Sequence, residues 1–293
     1  MPIAPDRIQD RPQKLAKSLK ALPDDFSPKR VHQLRTRTRR MEAMVHALAL
    51  DSRKNERRLL KAIQPVRKRA GRVRDMDVLA DFASKLQVGR DRECSAQLLE
   101  HLGNQRQRQA RKLQKVAAKQ SSKIKKRLTR CGKLLNRAFK NQKDGLDSRK
   151  WSAEAAALAL QLEAELRDWP ALRRTNLHLF RLKVKELLYV LEMANESNTT
   201  FITTLGEVKD AVGEWHDWEE LTGIAAKVIQ HRGCGLVKQI RSTATSKFDH
   251  ALAVANRMKN SLATVKRSNR KISSRVSARV DTSALASVTA LAA

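Results

Sequence analysis

Aromatic residues are almost missing. Phe, Trp and Tyr make up 4% of the 293 residues, and there is one tyrosine. So few rings argue against a base-stacking platform for single-stranded nucleic acid. Cysteine is as sparse: Cys94, Cys131 and Cys234 are odd in number, far apart in sequence and without metal-ligand spacing. They fit reduced thiols in a cytosol-like compartment. No apolar run approaches the roughly 18 residues of a membrane helix. The opening MPIAPDRIQDRP has no apolar core of the kind a signal peptide needs. A soluble, cytoplasmic protein is expected. Glycine is limited to 10 residues, and none sits in a nucleotide-binding loop. Acidic residues number 30 against 61 Lys and Arg, for a net charge of +31. That excess costs stability through self-repulsion and favours an anionic partner: nucleic acid, polyphosphate or an anionic membrane.

Good helix formers are plentiful. Ala, Leu, Lys, Arg, Glu and Gln dominate, apolar residues recur at helical spacing, and no stretch alternates like a strand, so the fold class is all-α. The first long helix is expected over 28–50, with Ser27 as its cap and Pro28 at its first position. Helices follow at 55–69, disturbed at Pro65 and Gly71, at 75–86, and at 92–140 with a break near 119–122. A polar linker at 141–150 carries Gly145. Then come helices at 152–169, 171–195, 199–215, 217–231 and 235–264. Residues 1–23 read as an N-terminal segment with a short helix. Residues 266–293, rich in Ser, Arg, Ala and Thr, read as a disordered tail.

One helical phrase occurs twice. VHQLRTRTRRM spans 31–41 and LHLFRLKVKEL spans 177–187. In each, a histidine is followed by arginine three residues on and a basic residue seven on: His32, Arg35, Arg39 and His178, Arg181, Lys185. A second pair follows in the same order: GRVRDMDVL at 71–79 and GEWHDWEEL at 213–221. This aligns Gly71 with Gly213, Arg74 with His216 and Asp75 with Asp217. The two landmarks are offset by 146 and 142 residues, which points to two similar helical bundles about a pseudo-twofold axis.

With His32 at zero and about 100° per residue, Arg35 and Arg39 fall near 300° and 340°, and His46 near 320°. Leu34, Met41, Val45 and Leu48 lie opposite. In the second copy Arg181 and Lys185 take the same two angles, although Leu188 and Tyr189 intrude on the basic side. A single such helix is ordinarily a solvated amphipathic surface. Solvent-facing residues need no fixed spacing, however, and here the spacing is kept twice. Two cationic stripes brought face to face repel unless an anion bridges them.

These phrases resemble the two signature helices of the CHAD family, the conserved histidine α-helical domain, and the 71–79 and 213–221 elements resemble its other repeated motif. The resemblance covers about 24–261. It implies two pseudo-twofold-related four-helix bundles with a basic central groove or pore. The CHAD domain would span 24–265, with a first repeat of about 24–140 and a second of about 151–265. It also implies non-catalytic binding of inorganic polyphosphate, often on polyphosphate granules. Residue by residue, His32, Arg35, Arg39 and Arg40 match the first motif, and His178, Arg181 and Lys185 the second. Glu186 stands where the family usually has a basic residue, and Leu188 where an arginine often precedes the tyrosine. His216 replaces the cation at Arg74, so the second half is expected to supply less charge.

Polyphosphate is a linear anion without bases, so recognition needs a track of cations. Arginine donates two parallel hydrogen bonds to phosphate. Lys61, Lys185 and Lys209 would add point charges. Arg67 and Arg74, seven apart, share a face, and Lys209 aligns with Arg67. His32 and His178 would donate when protonated or brace an arginine when neutral, with a polyanion favouring the charged form, or else pack as structural histidines; His216 joins the candidate ligands in the place of Arg74. Asp75 and Asp217 are expected to cap helices or hold Arg74 and its neighbours, and Gly71 and Gly213 to allow close backbone approach at a corner. The basic run Lys123, Lys125, Lys126, Arg127, Arg130 and Lys133 suits capture of a polyanion or non-specific nucleic-acid binding. No metal-ligand set, cofactor site or alternating acidic triplet of the triphosphatase kind is present, so catalysis is disfavoured. The alternative reading is a non-specific RNA- or DNA-binding basic helical protein.

Overall fold

The computed structural model describes residues 2–22, 26–87, 89, 91–140, 146–194, 199–229 and 234–289. The side chains of 140, 146, 147 and 264–289 lie outside that description. Eight α-helices account for most of it: α1 Pro5–Ala21, α2 Pro28–Ala47, α3 Lys54–Ser84, α4 Arg92–Lys140, α5 Leu146–Arg167, α6 Leu177–Leu191, α7 Thr199–Val228 and α8 Gly235–Thr289. A 3-10 turn at Leu50–Ser52 links α2 to α3. The one β-bridge among the described residues joins Ile3 to Ala194. The fold is all-α.

Three breaks expected from sequence are absent. The stretches 55–69 and 75–86 are one helix, α3, with Pro65 and Gly71 inside it. An interior proline costs about 3 kcal/mol and a glycine about 1 kcal/mol in propensity. Against this, α3 buries Leu59, Ile63, Val66, Val73 and Leu79 completely, each worth ~1.5–3 kcal/mol, so packing wins. In the same way α4 runs through 119–122, carried by buried Leu113, Ile124, Leu128 and Leu135. Helix α7 joins 199–215 to 217–231 through buried Val208, Val212, Trp215 and Leu221.

Helix α6 is shorter than the expected 171–195, because Asn176 closes a turn ahead of it. Its amide donates to the Ala171 carbonyl at 2.9 Å and its side-chain oxygen accepts from the Arg173 N–H at 2.8 Å, a local bond that competes with helix. Half of the expected linker, 141–145, lies outside the described residues, and the other half is helix, because α5 begins at Leu146. Helix α8 continues to Thr289, through most of the stretch read as a disordered tail.

Packing order repeats along the chain. Helix α1 lies on α2 and α4, α2 on α3, and α3 on α4. Likewise α5 lies on α6 and α8, α6 on α7, and α7 on α8. Between the halves α2 meets α6, and α3 meets α7. Helix α1 is part of the main core through buried Ile8, Leu15 and Leu19. A second apolar cluster joins the end of α3 and start of α4 to the end of α7 and start of α8. There Leu79, Leu98 and Leu102 pack with Trp218, Leu221 and Ile240, and Phe82 stacks on Trp218 at 4.8 Å.

Candidate functional site

The contacts of α2 with α6 and of α3 with α7 bring most of the singled-out cations together. Lys185, 5% exposed on α6, lies within electrostatic reach of Arg35 and Arg39 on α2, Arg181 on its own helix and Lys209 on α7. Burial, then repulsion from Arg39, Arg181, Arg35 and Lys209, pushes its ammonium down to about 6. Burial and neighbouring guanidinium groups also lower Arg39, beside Arg35 and Arg67. Burial lowers Arg181 against the pull of Asp217. His32 keeps much of its surface in solvent, and partial desolvation with Arg74, Arg35 and Lys209 nearby lowers it too.

His178 and His216 face each other across α6 and α7 with ring centroids 4.1 Å apart. Burial and the second ring push His178 down to about 4, and burial with Arg181 lowers His216. At neutral pH with no polyanion bound, both rings are therefore neutral. Two buried donors or acceptors in this cluster, Arg39 Nε and His178 Nδ1, have no hydrogen-bond partner among the described residues.

Asp75 and Asp217 sit inside α3 and α7, not at helix starts, so they cap nothing. Both face the arginines. Arg35 Nη2 is 4.0 Å from Asp75 Oδ1, and Asp217 is held up at about 6 by burial, opposed by Arg181 and reinforced by Asp75. Gly71 and Gly213 are mid-helix as well. What they admit is an arginine. A Cβ added at Gly213 would stand 2.8 Å from Arg181 Cζ, and one at Gly71 would stand 3.6 Å from Arg35 Nε. Arg181 lies flat on α7 there, its Nε donating to the Lys209 carbonyl at 2.9 Å. In each half, the arginine of the histidine phrase rests on the glycine of the second motif.

A cavity of about 630 Å³ opens beside this cluster, lined among others by Arg39, Lys185, Arg67, Lys61 and Tyr189. Arg57 and His46 extend its basic wall. Glu42 and Asp51 partly neutralise it, bonded to Arg67 Nε at 2.8 Å and to His46 Nδ1 at 3.3 Å. Arg57 escaped the sequence reading, although it stands one turn before Lys61 on the same face. Tyr189, whose helical angle puts it on the basic side, is a wall residue. Leu188 does not reach the cavity; it is buried in the core. Glu186 does reach it, and pairs with Lys183 at 3.5 Å.

Arg40 is the exception among the motif residues. It is exposed and forks onto Glu192, with Nε at 3.0 Å and Nη2 at 3.1 Å, while Arg11 donates to its carbonyl at 2.9 Å. One residue beyond Arg39 is about 100° round the helix, so Arg40 braces α2 against the end of α6 and takes no place in the cluster. Among the described residues, the group close enough to share a metal ion is elsewhere. Asp91, Cys94 and Cys234 gather at the starts of α4 and α8 with ligand atoms within 4.8 Å. Two cysteines far apart in sequence are thus neighbours in space. A mutual hydrogen bond and burial push the Cys94 thiol up to about 11, well away from a reactive thiolate.

No helix among the described residues is long and apolar enough to cross a membrane. A family model described as the CHAD domain matches residues 7–226. A crystal structure of the CHAD domain from the plant Ricinus communis is similar in fold. Its TM-score is 0.55 at 16% sequence identity, over 88% of this chain and 90% of that one. No curated protein sequence matches the chain.

Proposed function

The chain belongs to the CHAD domain family, and from that premise we propose that it binds inorganic polyphosphate without catalysis, in the basic space between α2, α3, α6 and α7. The observation that carries the reading is the convergence on Lys185 of Arg35, Arg39, Arg181 and Lys209, drawn from both halves of the chain. A buried site that repels its own charges is stabilised by a polyanion threaded among them. The ligands would be Arg35, Arg39, Arg67, Arg74, Arg181, Lys185 and Lys209, with Lys61 and Arg57 at the cavity mouth. His32, His178 and His216, lowered by their surroundings, stay neutral at pH 7.5 and would brace the arginines beside them. Arg40 is a brace. A cytoplasmic protein recruited to polyphosphate granules follows from this activity.

The test is retention on immobilised long-chain polyphosphate. Wild type should be held and should resist elution by excess duplex DNA. Arg35→Gln/Arg39→Gln/Arg181→Gln/Lys185→Gln should pass through with its circular-dichroism spectrum unchanged. Equal retention of the two proteins would sink the proposal.

A further inference from the structure

The longest described run without a carboxylate belongs to no part of this site. After Glu100, α4 has no acidic residue through Lys140, yet it carries fourteen Lys and Arg. The structure sorts them. Starting at Arg108 and ending at Arg137, nine basic residues recur at steps of four, three, four, four, three, four, three and four. At about 100° per residue all nine fall within an arc of roughly 80°. All nine are exposed, and none makes an ion pair among the described residues. Leu113, Ile124, Leu128 and Leu135 occupy the opposite, buried side. At ~1.5 Å per residue the row is straight and roughly 44 Å long. No residue of α4 lines the cavity or is among the cations around Lys185.

An outward helix face normally mixes both signs, because like charges one turn apart repel. Here about eight turns of repulsion are left unneutralised. The surface is also a convex ridge. It cannot enclose a thin flexible polymer, which would have to surrender its conformational freedom to lie along the row. A duplex suits it better, since its phosphates are already fixed along a rigid axis at about one charge per 1.7 Å. The exposed row has no aromatic side chain, so it has no means of stacking bases.

We propose that the α4 ridge is a second, independent polyanion surface that binds duplex nucleic acid through its phosphates, without sequence preference.

The experiment titrates full-length protein with a labelled DNA duplex of about 20 base pairs, longer than the ridge at ~3.4 Å per pair, over a salt series. The ridge variant is Lys115→Gln/Lys119→Gln/Lys126→Gln/Arg130→Gln. All four positions are exposed and glutamine is a good helix former, so the fold is kept, and a thermal melt checks this. Duplex affinity should fall at least about tenfold, and the slope of log affinity against log salt should lose about three to four, at ~0.9 per phosphate contact. Polyphosphate retention should stay within about twofold. The Arg35/Arg39/Arg181/Lys185 variant should bind duplex like wild type. Failure of wild type to bind duplex, unchanged affinity in the ridge variant, or loss of polyphosphate in step with duplex would each overturn the assignment.

Discussion

Lys185 makes the proposed binding a proton-linked event. In the free protein burial and the cations Arg39, Arg181, Arg35 and Lys209 hold its ammonium at about 6, against ~10.4 in solution. At pH 7.5 it is therefore mostly uncharged, and charging it costs about 2 kcal/mol at ~1.36 kcal/mol per unit. Phosphate oxygens beside it reverse the balance and favour the charged form. The complex then holds about one proton more than the separated partners. Because the bound state carries the extra proton, affinity falls as pH rises, by up to about tenfold per unit above pH ~6. It flattens below that, where Lys185 is already charged.

Calorimetric titration with a long polyphosphate, whose titrating end groups are a negligible fraction, reads this directly. In buffers of different ionisation enthalpy at pH 7.5 the observed heat should report uptake of about one proton. Lys185→Met should abolish most of that uptake and flatten the pH dependence. No proton uptake by wild type, or the same uptake by the variant, would refute the reasoning.

Other perturbations separate residues that look alike in sequence. Gly213→Ala puts a methyl against Arg181 and should break its bond to the Lys209 carbonyl, lowering polyphosphate affinity several-fold. Gly71→Ala meets Arg35 only at 3.6 Å and should raise stability by up to ~1 kcal/mol through helix propensity, as parallel urea melts would read. Arg106→Met strips the partner from Asp77, whose side chain is 3% exposed, and should cost about 3 kcal/mol in urea unfolding because a buried carboxylate is left unpaired. Arg40→Ala breaks an exposed pair worth at most ~1 kcal/mol and should leave polyphosphate retention unchanged, whereas Arg39→Ala should weaken it clearly.

The duplicated histidine phrase made the site legible, because its three- and seven-residue steps fix which side chains share a face. The helix count was less legible. Pro65, Gly71 and the Ser121–Ser122 pair carry local penalties of a few kcal/mol, and nothing local reveals that α3 and α4 bury enough apolar surface to override them. The glycines were assigned to corners for the same reason. Their partners, Arg35 and Arg181, lie on other helices. Arg40 matches the family motif by position, but its helical angle sets it about 100° from Arg39, where it meets Glu192. The meeting of Cys94 with Cys234 has no local signature, since it depends on where two distant helices begin.

The most direct measurement of the central idea is the stoichiometry of polyphosphate binding to half-site variants. If the cations of both halves grip one chain, Arg35→Gln/Arg39→Gln and Arg181→Gln/Lys185→Gln should each weaken binding by more than about tenfold, with one site still titrated per protein. If each variant instead kept wild-type affinity at half the wild-type stoichiometry, the two stripes would be separate sites and the shared-channel account would be wrong.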